Sequence, residues 1–233
     1  MFRGKKYIIF DWDGTLANSL PMWENADKVV LQSFGVKPRE TLDLERRKFL
    51  HNNSSGDIYE KYNQYLIDTY GIFGISAEDI AKKRKEAINS SAIKLDLKKD
   101  AETFLMLLKK YGFSISLATL STSEQIDFYR DNSPNIKRKT EDFKLFDGVI
   151  LTKDDIENKK PNPEVYLKAI ESLGALPSEV LVFEDSLEGV IASKKANLQT
   201  VVVHDRYNDS DRELISRYAD FEIKSYSTLV NKF

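Results

Sequence analysis

Two acids placed directly after a short apolar strand constrain this chain more than any other feature. Tyr7-Ile8-Ile9-Phe10 is a run of strand-forming residues and reads as a buried strand. Asp11-Trp12-Asp13-Gly14-Thr15 follows at once. Asp11 and Asp13 stand at i and i+2, so in extended chain their side chains point the same way. Neighbouring carboxylates at the end of a buried strand repel each other. They are tolerated only with a cation, a shared proton or a bound ligand. Gly14 permits a sharp departure of the chain and a close approach of ligand to backbone, and Thr15 adds a hydroxyl.

After Asp13 the pattern changes. Pro21 suits the first turn of a helix, and from there to about Tyr70 apolar residues recur at helical spacing. Gly35, Pro38 and Asn52-Asn53-Ser54-Ser55-Gly56 punctuate them. A further helix is expected from about Ala77 to Asn89, with Lys82, Lys83, Arg84 and Lys85 read as a solvated face. No strand pattern stands out between about residues 17 and 95. Beyond Lys94 helices and strands alternate: a helix from Asp100 to Tyr111, a strand from Ile115 to Thr119, a helix from about Ser121, a short strand at 148–151, a helix from Pro163 to Leu173, a strand at Val180–Phe183, a helix from Ser186 and a strand at Val201–Val203. Apolar strands without polar alternation, separated by helices, imply an α/β fold with a parallel sheet covered on both faces. Such sheets bind ligands at the carboxyl ends of their strands.

Three further strand ends or helix starts carry chemistry. Thr119 closes one strand, ahead of Leu120-Ser121-Thr122-Ser123-Glu124; Ser121 and Glu124 have capping-box spacing, and such hydroxyls serve either as caps or as an anion site. Lys159-Lys160-Pro161-Asn162-Pro163-Glu164 precedes a helix, and either lysine could be a solvated surface group. Glu184-Asp185-Ser186 follows Val180–Phe183; paired acids there need a counter-ion, or else Asp185 or Ser186 caps the next helix.

Taken together, Asp11-x-Asp13-Gly14-Thr15, Thr119, Lys160 before Pro161-x-Pro163 and Glu184-Asp185-Ser186-x-x-Gly189, in that order, resemble the four motifs of the haloacid dehalogenase-like (HAD) hydrolase superfamily. The nearest subgroup resembles phosphoglycolate phosphatase and beta-phosphoglucomutase, with a helical cap. The resemblance implies a Rossmann-like parallel-sheet core over residues 1–17 and 94–233, and an inserted α-helical cap domain over 18–93 that closes over the site. It implies Asp11 as nucleophile, Asp13 as general acid and base, and Thr119 and Lys160 as phosphate-holding groups. Gly14 and the backbone of Leu120 join the phosphate site; Leu120 stands where relatives often have Asn. It further implies a Mg²⁺ ion held by Asp11, the Asp13 carbonyl and Asp185, with Glu184 as a further ligand. Oxygen ligands suit that cation.

The activity expected is hydrolysis of small phosphorylated metabolites through an aspartyl-phosphate. Sugar phosphomutase chemistry is the nearest alternative. The subgroup's mutase carries a His in the helix after the first motif, where this chain has Trp23. Substrate choice is expected to lie in the cap, with Trp23, His51, Asn52 and Asn53 as candidate residues. A non-catalytic phospho-acceptor or sugar-phosphate-binding protein is a remoter alternative; receiver domains place their Asp after a later strand and are about half as long.

Composition removes other classes. A net charge of −2 over 233 residues gives no electrostatic case for nucleic acid or membrane. The absence of cysteine removes thiol nucleophiles, disulfides and Cys-ligated zinc, and a count of two histidines argues against a multi-histidine metal site. No stretch approaches the ~18–20 apolar residues of a membrane span, and the apolar run at the start breaks at Asp11, too soon for a signal peptide. The cytoplasm is the expected location.

Overall fold

The computed structural model describes residues 1–52 and 58–232, with His51 and Asn52 described by their backbone alone. In chain order the elements are β1 (Tyr7–Phe10), α1 (Leu20–Ser33), α2 (Leu42–Asn52), α3 (Ile58–Tyr70), α4 (Ala77–Ala92), α5 (Ala101–Lys110), β2 (Ser114–Ala118), α6 (Ser123–Asn132), α7 (Pro134–Lys139), β3 (Ile150–Leu151), α8 (Glu164–Leu173), β4 (Val180–Glu184), α9 (Leu187–Lys195), β5 (Gln199–Val203), α10 (Arg212–Tyr218), β6 (Phe221–Ile223) and α11 (Ser227–Val230). They fall into two compact units: Met1–Ser19 with Lys94–Phe233, and Leu20–Ile93.

The first unit is an α/β sheet domain of Rossmann type. Its six strands pair in the order β3-β2-β1-β4-β5-β6, and every pairing is parallel. Ile8, Ile9, Phe10 and Val180 to Phe183 have no exposed surface, which is why these strands read as unbroken apolar runs. On one face Phe10 stacks on Phe183 with centroids 4.8 Å apart, and Phe104 of α5 stacks on Tyr226 at 5.3 Å. On the other, Ile9, Ala118 and Val182 pack with Val165, Tyr166 and Ala169 of α8. The strand order runs one way from β1 and the other way from β4. A crevice opens at such a reversal, beyond the carboxyl ends of the strands.

The second unit is helical. Val30 and Leu31 of α1, Tyr62 and Leu66 of α3, and Ile80 of α4 form its core with Leu42 and Ile72. Here one expectation fails. Lys82, Lys83 and Lys85 are exposed, but Arg84 is buried, with its Nε donating to Asp27 Oδ1 at 2.7 Å. Ile80, Arg84, Ala87 and Ile88 follow helical spacing, so Arg84 lies on the buried stripe of α4. Among the described residues no helix is long and apolar enough to cross a membrane.

Local rules explain most element ends. Gly112 and Gly174 sit at φ +81° and +58° just after α5 and α8, a backbone shape that glycine adopts without strain. Ser186 caps α9 by accepting from Gly189 N–H. At α6 the expectation changes: Thr122, not Ser121, is the N-cap, accepting from Gln125 N–H at 3.2 Å. The hydroxyl of Ser121 has another partner.

Candidate active site

Register places the acids. Phe10 is level with Leu117 of β2 and with Phe183 of β4. The next residue of each strand line is therefore Asp11, Ala118 and Glu184, with Thr119 and Asp185 one step further at the same sheet edge. Asp11 N–H donates to Phe183 O at 2.9 Å, which ties the strand end down. One carboxylate oxygen each from Asp11, Glu184 and Asp185 lies within 4.8 Å of the others, and all three residues are buried.

Lys160 enters this cluster from the loop before α8. Its Nζ donates to Asp11 Oδ1 at 2.7 Å, to Glu184 Oε1 at 2.6 Å and to Ala118 O at 3.0 Å. The neighbouring Lys159 is only half-buried, which separates the two lysines. Glu164 shapes the loop: its carboxylate accepts from the N–H groups of Glu157 and Asn158, at 2.9 and 2.8 Å. Those backbone bonds, with Lys168, draw its pKa down to about 2. Burial works against the Lys160 charge, but Asp11 and Glu184 outweigh it and hold the ammonium well above the usual lysine range.

Asp13 is held differently. Its Oδ1 accepts from Ser19 Oγ and its Oδ2 from Ser121 Oγ, both at 2.6 Å. Gly14 adopts φ +83°, and the turn closes through Leu16 and Ala17 N–H groups donating to Trp12 O. This turn aims Asp13 and Asp11 from one short segment. It also buries Thr15, whose hydroxyl donates to Asp185 Oδ1 at 2.7 Å. Thr119 is buried, and its oxygen accepts from Ser121 N–H at 3.0 Å. Among the described residues no acceptor takes its own proton. Leu120 lies between them, half-buried.

Charge decides what such a cluster accepts. Asp11, Glu184 and Asp185 set three carboxylates beside the ammonium of Lys160, with Lys98 acting on Asp185 as a second positive charge. Burial pushes the Asp11 carboxyl well above its usual range, with Lys160 pulling it back and Glu184 and Asp185 pushing further. Burial, then Glu184, pushes Asp185 up to about 7. A divalent cation would relieve both, and an all-oxygen donor set fits a hard one such as Mg²⁺. Both Glu184 oxygens are already engaged, Oε1 by Lys160 and by Tyr166 OH at 2.6 Å, Oε2 by Asp185 N–H at 3.1 Å and Ser186 Oγ at 3.2 Å.

The site is thus assembled from Asp11, Asp13, Gly14, Thr119, Lys160, Glu184 and Asp185. Trp23 lies on α1 of the helical unit, half-buried. His51 and Asn52 end α2 with side chains outside the description, and Asn53 lies outside the described residues. The sequence reading missed Ser19, Tyr166 and Asn208, whose Nδ2 donates to Asp185 Oδ2 at 2.6 Å. Tyr166 and Asn208 act across long sequence separations, where no local signal exists. Ser121, open in the sequence to a cap or an anion site, donates instead to Asp13.

A family model described as haloacid dehalogenase-like hydrolase matches residues 8–203. A phosphorylated carbohydrates phosphatase of Thermotoga maritima is 31% identical over 202 residues, covering 84% of this chain and 85% of the relative. A Bacillus subtilis protein, YhcW, described provisionally as a phosphatase, is 31% identical and covers 91% of each chain. Among solved structures, a Thermotoga maritima protein whose description as a beta-phosphoglucomutase is provisional aligns with TM-score 0.78 at 27% identity, covering 97% of each chain.

Proposed function

The chain belongs to the haloacid dehalogenase-like hydrolase family and is a phosphoric monoester hydrolase, and we propose that it hydrolyses small phosphorylated sugars and related metabolites through a phosphoryl group carried on Asp11. The observation that carries this is the buried contact of Lys160 with Asp11 and Glu184, beside an Asp13 held by two hydroxyls.

An Asp11 carboxylate oxygen attacks phosphorus, and the bond from phosphorus to the leaving oxygen breaks. Asp13 gives its proton to that oxygen, so the alcohol leaves neutral. Water then attacks the same phosphorus and passes a proton to Asp13. The bond from phosphorus to Asp11 breaks, inorganic phosphate departs, and both aspartates return to their starting states. One difficult displacement becomes two easier ones. Thr119 holds a phosphoryl oxygen, and Lys160 acts on the others as a fixed point charge as charge moves onto them. Glu184 balances Lys160 and keeps its ammonium aimed at the cluster.

Asp11, Asp185 and the Asp13 carbonyl would hold Mg²⁺, which when bound neutralises phosphoryl charge. Hydrolysis is preferred over mutase chemistry because Trp23 stands where the subgroup's mutase has a histidine, and indole has no titratable nitrogen for a relay that would gate Asp13 against water.

The test is a phosphate-release screen with p-nitrophenyl phosphate and a panel of sugar phosphates, with and without Mg²⁺, using the native chain and Asp11→Asn. Mg²⁺-dependent release by the first and none by the second is expected. Full activity in Asp11→Asn sinks the mechanism. Incubation with β-glucose 1-phosphate and a trace of glucose 1,6-bisphosphate covers the mutase: glucose 6-phosphate with little free phosphate overturns the hydrolase assignment.

A further inference from the structure

A fifth segment, outside the four motifs, reaches the acid cluster. After β5 the chain crosses the carboxyl edge of the sheet and forms a tight turn over Arg206–Asp211. Ligand-contacting groups of parallel sheets come from such loops. Here the loop presents one side chain inward: Asn208 Nδ2 donates to Asp185 Oδ2 at 2.6 Å. Thr15 Oγ1 takes the other oxygen, Oδ1, at 2.7 Å. The carboxylate of Asp185 is therefore held at both oxygens, by donors from opposite ends of the unit.

The loop is itself braced. Asp205 accepts from Tyr207 N–H at 3.0 Å, and Asn208 N–H donates to Asp205 O at 3.1 Å. Asp205 Oδ2 pairs with Lys98 Nζ at 2.8 Å, with both side chains largely buried. Lys98 N–H donates to Leu16 O at 2.8 Å, in the turn that follows Asp11 and Asp13. His204 N–H donates to Ile223 O at 2.8 Å and anchors the loop's start to β6. The chain of contacts runs from the first motif through Lys98 and Asp205 to Asn208, and from Asn208 to Asp185.

We propose that Asn208 is a positioning residue for Asp185 as a Mg²⁺ ligand, with the Lys98–Asp205 pair as its brace. The chemistry of the donor matters. An amide orients a carboxylate by a hydrogen bond yet adds no positive charge, so the full negative charge stays available to a cation. An ammonium at this place would orient the group equally well but compete with the metal. Each carboxylate oxygen has a second lone pair for the cation, so binding need not break the Asn208 or Thr15 contact. Partners behind a metal ligand fix its direction, and their removal typically lowers metal affinity by about 10–100-fold.

This inference rests on Asp185 being a metal ligand, so the experiment measures the metal directly. Mg²⁺ is titrated calorimetrically into the metal-free full chain, native and as Asn208→Ala, Asn208→Gln and Asp185→Ala. Circular dichroism checks that each variant is folded. The expected result is a Kd raised by about 10–100-fold in Asn208→Ala, an intermediate value in Asn208→Gln, which keeps an amide, and no measurable binding in Asp185→Ala. The activity deficit of Asn208→Ala should be largest at limiting Mg²⁺ and narrow as Mg²⁺ is raised. A Kd in Asn208→Ala within twofold of the native value, or one in Asn208→Gln no tighter than in Asn208→Ala, overturns the role of Asn208 and leaves the metal site standing. Absence of Mg²⁺ binding by the native chain, or unaltered binding by Asp185→Ala, overturns the metal reading itself.

Discussion

Gly189 has no side chain because Glu184 occupies the space: a Cβ built at Gly189 would lie 2.0 Å from Glu184 Cδ and from its Oε1. That contact gives a physical reason for the spacing Glu184-Asp185-Ser186-x-x-Gly189. Glu184 is fully buried and turns back under the first turn of α9, where its Oε2 accepts from Asp185 N–H. Only a residue with no Cβ lets the carboxylate pass beneath the helix and meet Lys160 on its far side.

Gly189→Ala should therefore destabilise the protein although Ala is the better helix former. The gain from helix propensity is up to about 1 kcal/mol. A Cβ at that distance forces Glu184 to move, and such overpacking costs about 1–3 kcal/mol. Urea unfolding decides the sign. In a Glu184→Ala background the space is empty and the same substitution should turn neutral or stabilising. Equal costs in the two backgrounds would show that the contact is not the cause.

Ser121→Ala should lower kcat by about 10–100-fold, since a hydrogen bond to a charged group contributes about 1.5–3 kcal/mol. Its hydroxyl donates to Asp13 Oδ2, and Ser19 donates to Oδ1. If these bonds aim Asp13 at the leaving oxygen, the loss should be greater for alkyl phosphates than for p-nitrophenyl phosphate, whose leaving group needs little proton assistance. Equal losses on both substrates would reduce Ser121 to packing.

The four motifs were legible because each is a local event: an apolar run that ends, then a charged or hydroxyl residue. The parallel sheet followed from the same runs, since strands buried on both faces leave no polar alternation to misread. What stayed hidden was long-range. Tyr166 and Asn208 each touch an acid of the cluster, 18 and 23 residues away in sequence, and nothing local marks them. Ser121 was hidden by an ordinary preference, because serine before a helix is usually its cap, and Thr122 takes that task instead. Arg84 was hidden inside a run of like charges. Its signal was present in the spacing from Ile80 and to Ile88, which puts it on the apolar stripe.

The stabilisation by Mg²⁺ should grow with pH. In the metal-free protein burial and Glu184 push Asp185 up to about 7, above the usual carboxylate value near 4 in an unfolded chain. Between those values the folded state holds the extra proton. The contribution of Asp185 to stability is therefore present below about pH 4 and is lost as pH rises to about 7. Mg²⁺ held there as proposed would compete with that proton for the carboxylate, so its binding should be penalised in acid and freed above about pH 7. The rise in Tm caused by saturating Mg²⁺ should be small near pH 5 and large near pH 8. A shift in Tm that stays constant across that range would mean that the metal does not displace the Asp185 proton.

The helical unit contains a buried ion pair whose cost and gain can be separated. Arg84 Nε donates to Asp27 Oδ1 at 2.7 Å, and Tyr62 OH donates to Asp27 Oδ2 at 2.9 Å. Arg84 also donates through Nη1 to Asn63 Oδ1, and its guanidinium lies 5.2 Å from the centre of the Tyr62 ring. These contacts join α1, α3 and α4 at one point. They do not satisfy every donor: Arg84 Nη2 is buried with no hydrogen-bond partner among the described residues. A buried pair with an unmet donor recovers little beyond its desolvation cost, whereas a charge left without its partner is expensive. Asp27→Ala alone should thus cost about 3–5 kcal/mol. Asp27→Leu combined with Arg84→Met, which removes both charges and keeps apolar volume, should cost less than Asp27→Leu alone. The measurement is urea denaturation in a Trp12→Phe background, followed by far-UV circular dichroism and by the fluorescence of Trp23, the remaining tryptophan, which reports on the helical unit. The Trp23 transition should move strongly in the single variant and weakly in the double. If the double variant loses as much as Asp27→Leu and Arg84→Met alone added together, the charges do not couple and the pair is not what holds these helices in register.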